Sequence, residues 1–236
     1  MTEPAFEIYN FSDDSRDLYH RVIEQDSVSE QLSRLRVVDK RSHLHSLRVA
    51  RIVSEFAMSG VVEFNAGDAE SAVRSAALHD IGKLGILKSI LKKDGKKNGD
   101  LTSAERANAR QHPVLGFFRC HPEFPPNEVI PILKHHTLQA DDYPSKRVQV
   151  ALLRSIDLSP EELTEDNVTT NSVLIAVADH IDVKSVRLRA TNAHQIEHIP
   201  TDIKTGFEKA GKIHRLGEDE LLSDLIVLSQ DTFLKH

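Results

Sequence analysis

The neighbouring residues His79 and Asp80, in the stretch Ala-Ala-Leu-His-Asp-Ile-Gly-Lys from Ala76 to Lys83, can reach one metal ion together. The imidazole offers a neutral nitrogen. The carboxylate offers charge, and its second oxygen can bridge to another ion. This pairing suits iron, manganese or zinc. A His-Asp dipeptide arises by chance, so its weight comes from its company. His45 lies upstream in His-Ser-Leu-Arg-Val-Ala, and downstream stand His112, the pair His135-His136, and Asp179 in Ala-Val-Ala-Asp. That is the ligand order of a two-metal hydrolase, whose ions acidify a water and neutralise the oxygens of a phosphate ester.

Taken singly, each residue has a plainer reading. His45 sits beside the apolar stripe of a long helix, as a satisfied core or surface histidine would. Asp179 interrupts an apolar run, where a carboxylate is costly unless paired or metal-bound. His112 before Pro113 reads as a helix-end histidine, favoured there by the helix dipole. Adjacent helical residues point about 100° apart, so His135 and His136 should not both be buried or both be exposed.

Helices must position these groups. Residues 14–38 carry Leu18, Val22, Ile23, Val28, Leu32 and Leu35 at helical spacing, as one or two helices after a loose acidic arm of about 13 residues. From Ser42 to Ser59-Gly60 runs a strongly amphipathic helix bearing His45. Asp68 is expected to cap a helix from Ala69 to about Asp80. Lys92–Asp100 reads as a loop, and Thr102 with Glu105 as a capping box opening a helix that runs to His112-Pro113. Asn127–Leu138 is a further helix, Ser159-Pro160-Glu161 a strong helix start, and Asn171 to about Arg189 the most apolar helix. Two weaker helical stretches follow Thr191. Strand signals are nearly absent, so the expected fold class is all-α.

Bulk properties exclude several classes. The 236 residues suffice for one sizeable domain with extensions, and the net charge of −6 gives no reason for non-specific binding to duplex nucleic acid or acidic lipid. The single cysteine, Cys120, rules out an internal disulfide framework and a Cys-based zinc site, and reads as a small buried apolar residue. No run of 18 apolar residues spans a membrane, and the acidic start carries no signal-peptide pattern, so the expected location is cytoplasmic.

Five ordered motifs carry a resemblance to a known family. They are His-Ser-Leu-Arg-Val-Ala; Leu-His-Asp-Ile-Gly-Lys-Leu-Gly-Ile; Leu-Thr-Ser-Ala-Glu with Gln-His-Pro-Val-Leu-Gly; His-His; and Ile-Ala-Val-Ala-Asp. Over about residues 41–190 the chain resembles the HD-GYP branch of the HD-domain phosphohydrolases. The resemblance implies an all-helical, metal-dependent phosphodiesterase that hydrolyses cyclic di-GMP, a bacterial signalling dinucleotide. It implies metal ligands at His45, His79, Asp80 and Asp179, with His112, His135 and His136 building a second ion site. Asp80 would be the bridging carboxylate, and Lys83 would approach the substrate phosphate. A metal-bound hydroxide would be the nucleophile.

The chain departs from the branch in its eponymous segment. His-His-Glu followed by Asp-Gly-x-Gly-Tyr-Pro is here His135-His136-Thr137-Leu138-Gln139-Ala140-Asp141-Asp142-Tyr143-Pro144, without the glutamate and without either glycine. Arg41 stands where some members place a glutamate for a third ion. Two divalent ions are therefore expected, iron or manganese first, with zinc or nickel as alternatives. Residues 141–144 are expected to lie away from the phosphate, with weak turnover of cyclic di-GMP. Two other functions fit the residues: an HD phosphohydrolase acting on another nucleotide or phosphate ester, and a weakly catalytic metal- or nucleotide-binding signalling module. The expected partners are a nucleotide or phosphodiester substrate, and a second copy of the chain or a signalling protein. The expected organisation is an N-terminal arm and helical extension (1–40), the phosphohydrolase core (41–192) and a C-terminal helical extension (193–236).

Overall fold

The computed structural model describes residues 11–94, 101–136, 143–159 and 166–189, together with Leu225. The described residues are all-α, with no strand among them. In chain order the helices are α1 (Asp13–Ile23), α2 (Asp26–Val38), α3 (Lys40–Met58), α4 (Ala66–Leu78), a 3-10 turn (Ile81–Gly85), α5 (Lys88–Asp94), α6 (Ser103–Ala109), α7 (His112–Cys120), α8 (Pro126–Lys134), α9 (Lys146–Ser155) and α10 (Asp166–Arg189).

The centre of the bundle is α3, which packs against α1, α2, α4 and α10. Its stripe of Val49, Ala50, Ile52, Val53 and Phe56 is fully buried, as the 3.6-residue period requires of a helix enclosed on several sides. Asp39 caps it by accepting the Arg41 N–H at 3.1 Å. The facing helix α4 presents Ala69, Ala72, Ala76 and Ala77. Such small side chains let α3 and α8 approach closely, which draws the C-terminal end of α4, with His79, into the middle of the molecule. Residues Asn171–Asp179 of α10 are all buried, which explains why that segment is apolar all round.

Several boundaries differ from the sequence expectation, each for a local reason. Asn65, not Asp68, caps α4: its side-chain oxygen accepts the Asp68 N–H at 3.0 Å, so the helix begins at Ala66. The polar run after Lys92 begins in helix, because α5 continues to Asp94. The Thr102–Glu105 capping box is present. The helix it opens stops at Ala109, and His112 starts α7 rather than ending α6. Pro113, in the first turn of α7, has a fixed φ suited to starting a helix and lacks only an N–H that would be unpaired there. Helix α9 was not expected from the sequence. The acidic arm is not loose at its end: Phe11 is buried, and the Ser12 N–H and hydroxyl donate to Glu55 at 3.1 and 3.2 Å. The Ser159-Pro160-Glu161 start and the helical stretches after Thr191 fall on residues outside those described, apart from Ser159 and a buried Leu225.

Two glycines set the distance between the 3-10 turn and α7. A Cβ on Gly82 would lie 1.8 Å from the His112 carbonyl oxygen and 2.4 Å from the Gly116 nitrogen. A Cβ on Gly116 would lie 3.0 Å from Ile132. The backbone that follows Asp80 therefore lies directly against the backbone that carries His112.

Candidate metal centre

Seven side chains from five places in the chain meet at the junction of these helices. His45 comes from the middle of α3, His79 and Asp80 from the end of α4, His112 from the start of α7, His135 and His136 from the end of α8, and Asp179 from the middle of α10. Their ligating atoms form overlapping groups, each within 4.8 Å: His45, His79 and Asp179; His112, His135 and His136; and His79, Asp80 and His135. Within the first, His45 Nε2 lies 3.1 Å from Asp179 Oδ1 and 3.2 Å from His79 Nε2. Within the second, His112 Nε2 lies 3.2 Å from His135 Nε2 and 3.1 Å from His136 Nε2.

Asp80 stands between the two groups. Its Oδ1 is 3.3 Å from His112 Nε2, and its Oδ2 is 3.7 Å from His79 Nε2 and 3.8 Å from His45 Nε2. One oxygen faces each side, which is the disposition a bridging carboxylate needs. Lys83 Nζ donates to Asp80 Oδ2 at 2.6 Å.

The histidine tautomers follow from their partners. The Nδ1 atoms of His79, His112 and His135 lie 2.7, 2.9 and 2.6 Å from the carbonyl oxygens of Ala76, Ala109 and Ile132. A carbonyl only accepts, so each Nδ1 carries the proton and each Nε2 presents a lone pair. These carbonyls lie in the last turns of α4, α6 and α8, where helix carbonyls lack intrahelical donors. Burial holds His79 and His135 below the ordinary histidine pKa and pushes His112 down to about 3, so all three are neutral.

His112 and His135 turn two Nε2 lone pairs toward each other at 3.2 Å, with both protons committed elsewhere. Two acceptors at that distance repel unless a cation lies between them. Neutral imidazoles with carboxylate oxygens are the donors that divalent first-row metals take, and the residues fit such ions.

Electrostatics differ on the other side. Burial alone would lower the His45 pKa, but the hydrogen bonds of Asp179 and Asp182 and the charge of Asp80 raise it to about 9. Burial would raise Asp80 and Asp179, yet both stay well below the ordinary carboxylate range. Lys83 is the main opposing charge for Asp80, and His45 for Asp179.

Two residues here were missed by the sequence reading. Asp182 accepts from His45 Nδ1 at 2.7 Å, and Arg48 forks onto Asp182 through Nε at 2.5 Å and a terminal nitrogen at 2.9 Å. Their signal was positional: each follows a residue of the cluster by three residues, His45 to Arg48 and Asp179 to Asp182, one turn along the same helix face.

Tyr143, beyond His136, lies against the cluster. The Tyr143 ring stacks on His136, with centroids 4.5 Å apart and planes at 25°, and stands edge-on to His112 at 6.1 Å. Its aromatic face matches the flat imidazole, so this end of the segment lies beside the clustered histidines. Asp141 and Asp142 lie outside the described residues. His135 is buried and His136 half-buried, as adjacency on a helix end dictates, yet both reach the same cluster. Arg41 points elsewhere: its guanidinium donates to the Leu91 carbonyl at 3.3 Å and pairs with Asp39.

Comparison with known proteins agrees with the geometry. Residues 43–184 match the family model of the HD domain. Searches of curated proteins and of solved structures find no significant match. HD domains are typically metal-dependent phosphohydrolases, which accords with a nucleotide or phosphate ester as substrate. No helix among the described residues is long and apolar enough to cross a membrane. The matched stretch covers more than half of the chain and contains every residue of the cluster, and the chain belongs to the HD-domain family.

Proposed function

We propose that this chain is a phosphodiesterase of the HD-GYP type, cleaving a cyclic dinucleotide, cyclic di-GMP, with two divalent ions. The carrying observation is the pair of donor groups sharing Asp80, one oxygen facing each. His45, His79, Asp80 and Asp179 would hold one ion, and Asp80, His112, His135 and His136 the other. Such ions, when bound, neutralise phosphate oxygens and lower the pKa of water. Iron or manganese suits the imidazole-rich donor set best, with zinc and nickel as substitutes.

The chain's own residues do the rest. Five imidazoles add no negative charge, so a site loaded with two dications stays net positive despite Asp80 and Asp179, and draws an anionic substrate. Lys83, already beside Asp80, supplies a further cation at the site and is the group that would hold a phosphate oxygen. Tyr143 on His136 retains the aromatic end of the branch's characteristic segment, which supports the dinucleotide reading.

A second reading rests on a different observation. The segment Thr137–Pro144 lacks both glycines of the branch, and glycine permits turns that other residues resist. That favours a smaller or differently shaped phosphate ester, cleaved by the same ligands. Protein loaded anaerobically with Fe²⁺ or Mn²⁺ should be tested on cyclic di-GMP, its linear dinucleotide and a bis-aryl phosphate. Slow but metal-dependent cleavage of cyclic di-GMP is expected. Cleavage of the aryl ester alone would replace the first reading with the second. No cleavage of any of the three would leave neither standing.

A further inference from the structure

Four imidazoles of the cluster have a hydrogen-bonded Nδ1, and one of them is bound differently from the rest. His79, His112 and His135 sit at helix ends and use carbonyls three residues back. His45 lies six residues into α3, a helix of 19 residues. There the backbone carbonyls one turn back are engaged in the helix ladder, so no spare carbonyl is at hand. A side chain from another helix fills that role. Asp182 of α10, only 1% exposed, takes the His45 Nδ1 at 2.7 Å.

Asp182 is itself fixed. Arg48 grips both of its oxygens, at 2.5 and 2.9 Å, and comes from α3 one turn beyond His45. A bidentate guanidinium fork sets the plane of a carboxylate as well as its position. The plane of Asp182 in turn sets the ring of His45. Asp179, three residues earlier on α10, meets the same ring at Nε2 at 3.1 Å. The imidazole is thus held between two carboxylates of one helix face, one on each nitrogen.

We propose that Asp182, clamped by Arg48, is the positioning residue of His45, and that it controls ion binding at the His45–His79–Asp179 group without acting on the His112–His135–His136 group. It keeps a proton on Nδ1, so that Nε2, on giving up its own proton, would turn a lone pair to an ion shared with Asp179 and His79. A carboxylate partner also makes the ring a stronger donor than a carbonyl partner does. The other group needs no such residue, because helix-end carbonyls already orient His112 and His135. The inference rests on the reading of the cluster as a two-ion site. The hydrogen bonds of Asp182 run to His45 and Arg48.

The test is a titration of metal-free full-length protein with Mn²⁺, followed by calorimetry, for the unsubstituted chain and for Asp182→Asn and Arg48→Lys. The unsubstituted chain should show two binding events. Asp182→Asn keeps the volume and an accepting oxygen, but loses the charge and the firm Arg48 grip. It should weaken one event by roughly 10- to 100-fold, the range for loss of an outer-shell partner, and leave the other unchanged. Arg48→Lys keeps the charge and loses the fork, and should weaken the same event by a smaller factor. If Asp182→Asn fails to fold, Arg48→Lys decides. A purely structural role would lower thermal stability and weaken both events together, and that result would overturn the proposal, as would two unchanged events. An unsubstituted chain that binds no Mn²⁺ would remove the two-ion reading first, and the proposal with it.

Discussion

Replacing Gly82 by alanine should disable half of the site without altering a ligand. The new Cβ would stand 1.8 Å from the His112 carbonyl oxygen and 2.4 Å from the Gly116 nitrogen. Both obstacles are backbone atoms, so no side chain can turn aside. Restoring even a 3.0 Å separation requires α7 and the 3-10 turn to part by about 1.2 Å. Metal–ligand distances tolerate about ±0.2 Å, so His112 would be carried out of range of an ion shared with Asp80. Overpacking of this kind costs about 1–3 kcal/mol, and backbone obstacles place Gly82→Ala at the upper end. For a chain of this length that corresponds to roughly 6–12 °C in Tm. The assays are thermal unfolding and elemental analysis of the same preparation. One ion should remain, held by His45, His79 and Asp179, while the ion of the His112 group is lost. A Gly82→Ala protein with unchanged Tm and two ions would refute the reasoning, because the spacing of turn and helix would then have no bearing on the site.

Asp80→Ala should abolish metal retention and activity together, since Asp80 is, among the described residues, the carboxylate with one oxygen facing each donor group; full metal content with unchanged turnover would refute the bridge, and elemental analysis with a hydrolysis assay decides. The metal-free protein should be most stable near pH 6.5, with stability falling on both sides. Below pH 6.5 the unfolded chain protonates His79, His112 and His135, whose folded pKa values lie lower, so stability falls as pH drops, with a limiting slope of about 4 kcal/mol per pH unit for three protons. His45, raised to about 9, has the opposite sign: its contribution is full below its unfolded pKa and is lost as pH rises through 9. Urea melts of chelator-treated protein at pH 5, 7 and 9 measure both limbs, and a melt strongest at pH 5 would reverse the assignment. Burial pushes the Cys120 thiol up to about 12, so iodoacetamide should leave it unmodified at pH 8 in folded protein, and mass spectrometry reads the outcome.

The clustered residues were legible in the sequence because metal chemistry restricts residue type and order, while the fold restricts spacing. His79-Asp80 at a helix end and Asp179 in an apolar run were each costly to explain otherwise. The helices were legible where the apolar period was strong, as in α3, or where a cap was explicit, as at Thr102. What escaped depended on contacts between segments far apart in the chain. Asp182 and Arg48 look like ordinary charged residues until α3 and α10 lie side by side. The role of Gly82 depends on the approach of α7, which no local pattern encodes. The misreading of His112-Pro113 had another source. A proline that follows a histidine reads in sequence as the end of a helix, whereas its fixed φ here begins one. The stacking of Tyr143 on His136 is likewise a tertiary contact that no local pattern encodes.

The central claim is that two divalent ions lie on either side of Asp80. Crystals of protein loaded with Mn²⁺ or Fe²⁺, measured at the metal absorption edge, test it directly by anomalous scattering. The account predicts two peaks about 3.5–4 Å apart, one beside His45, His79 and Asp179, the other beside His112, His135 and His136, with an oxygen of Asp80 on each. A single peak, or two peaks without Asp80 between them, would contradict it.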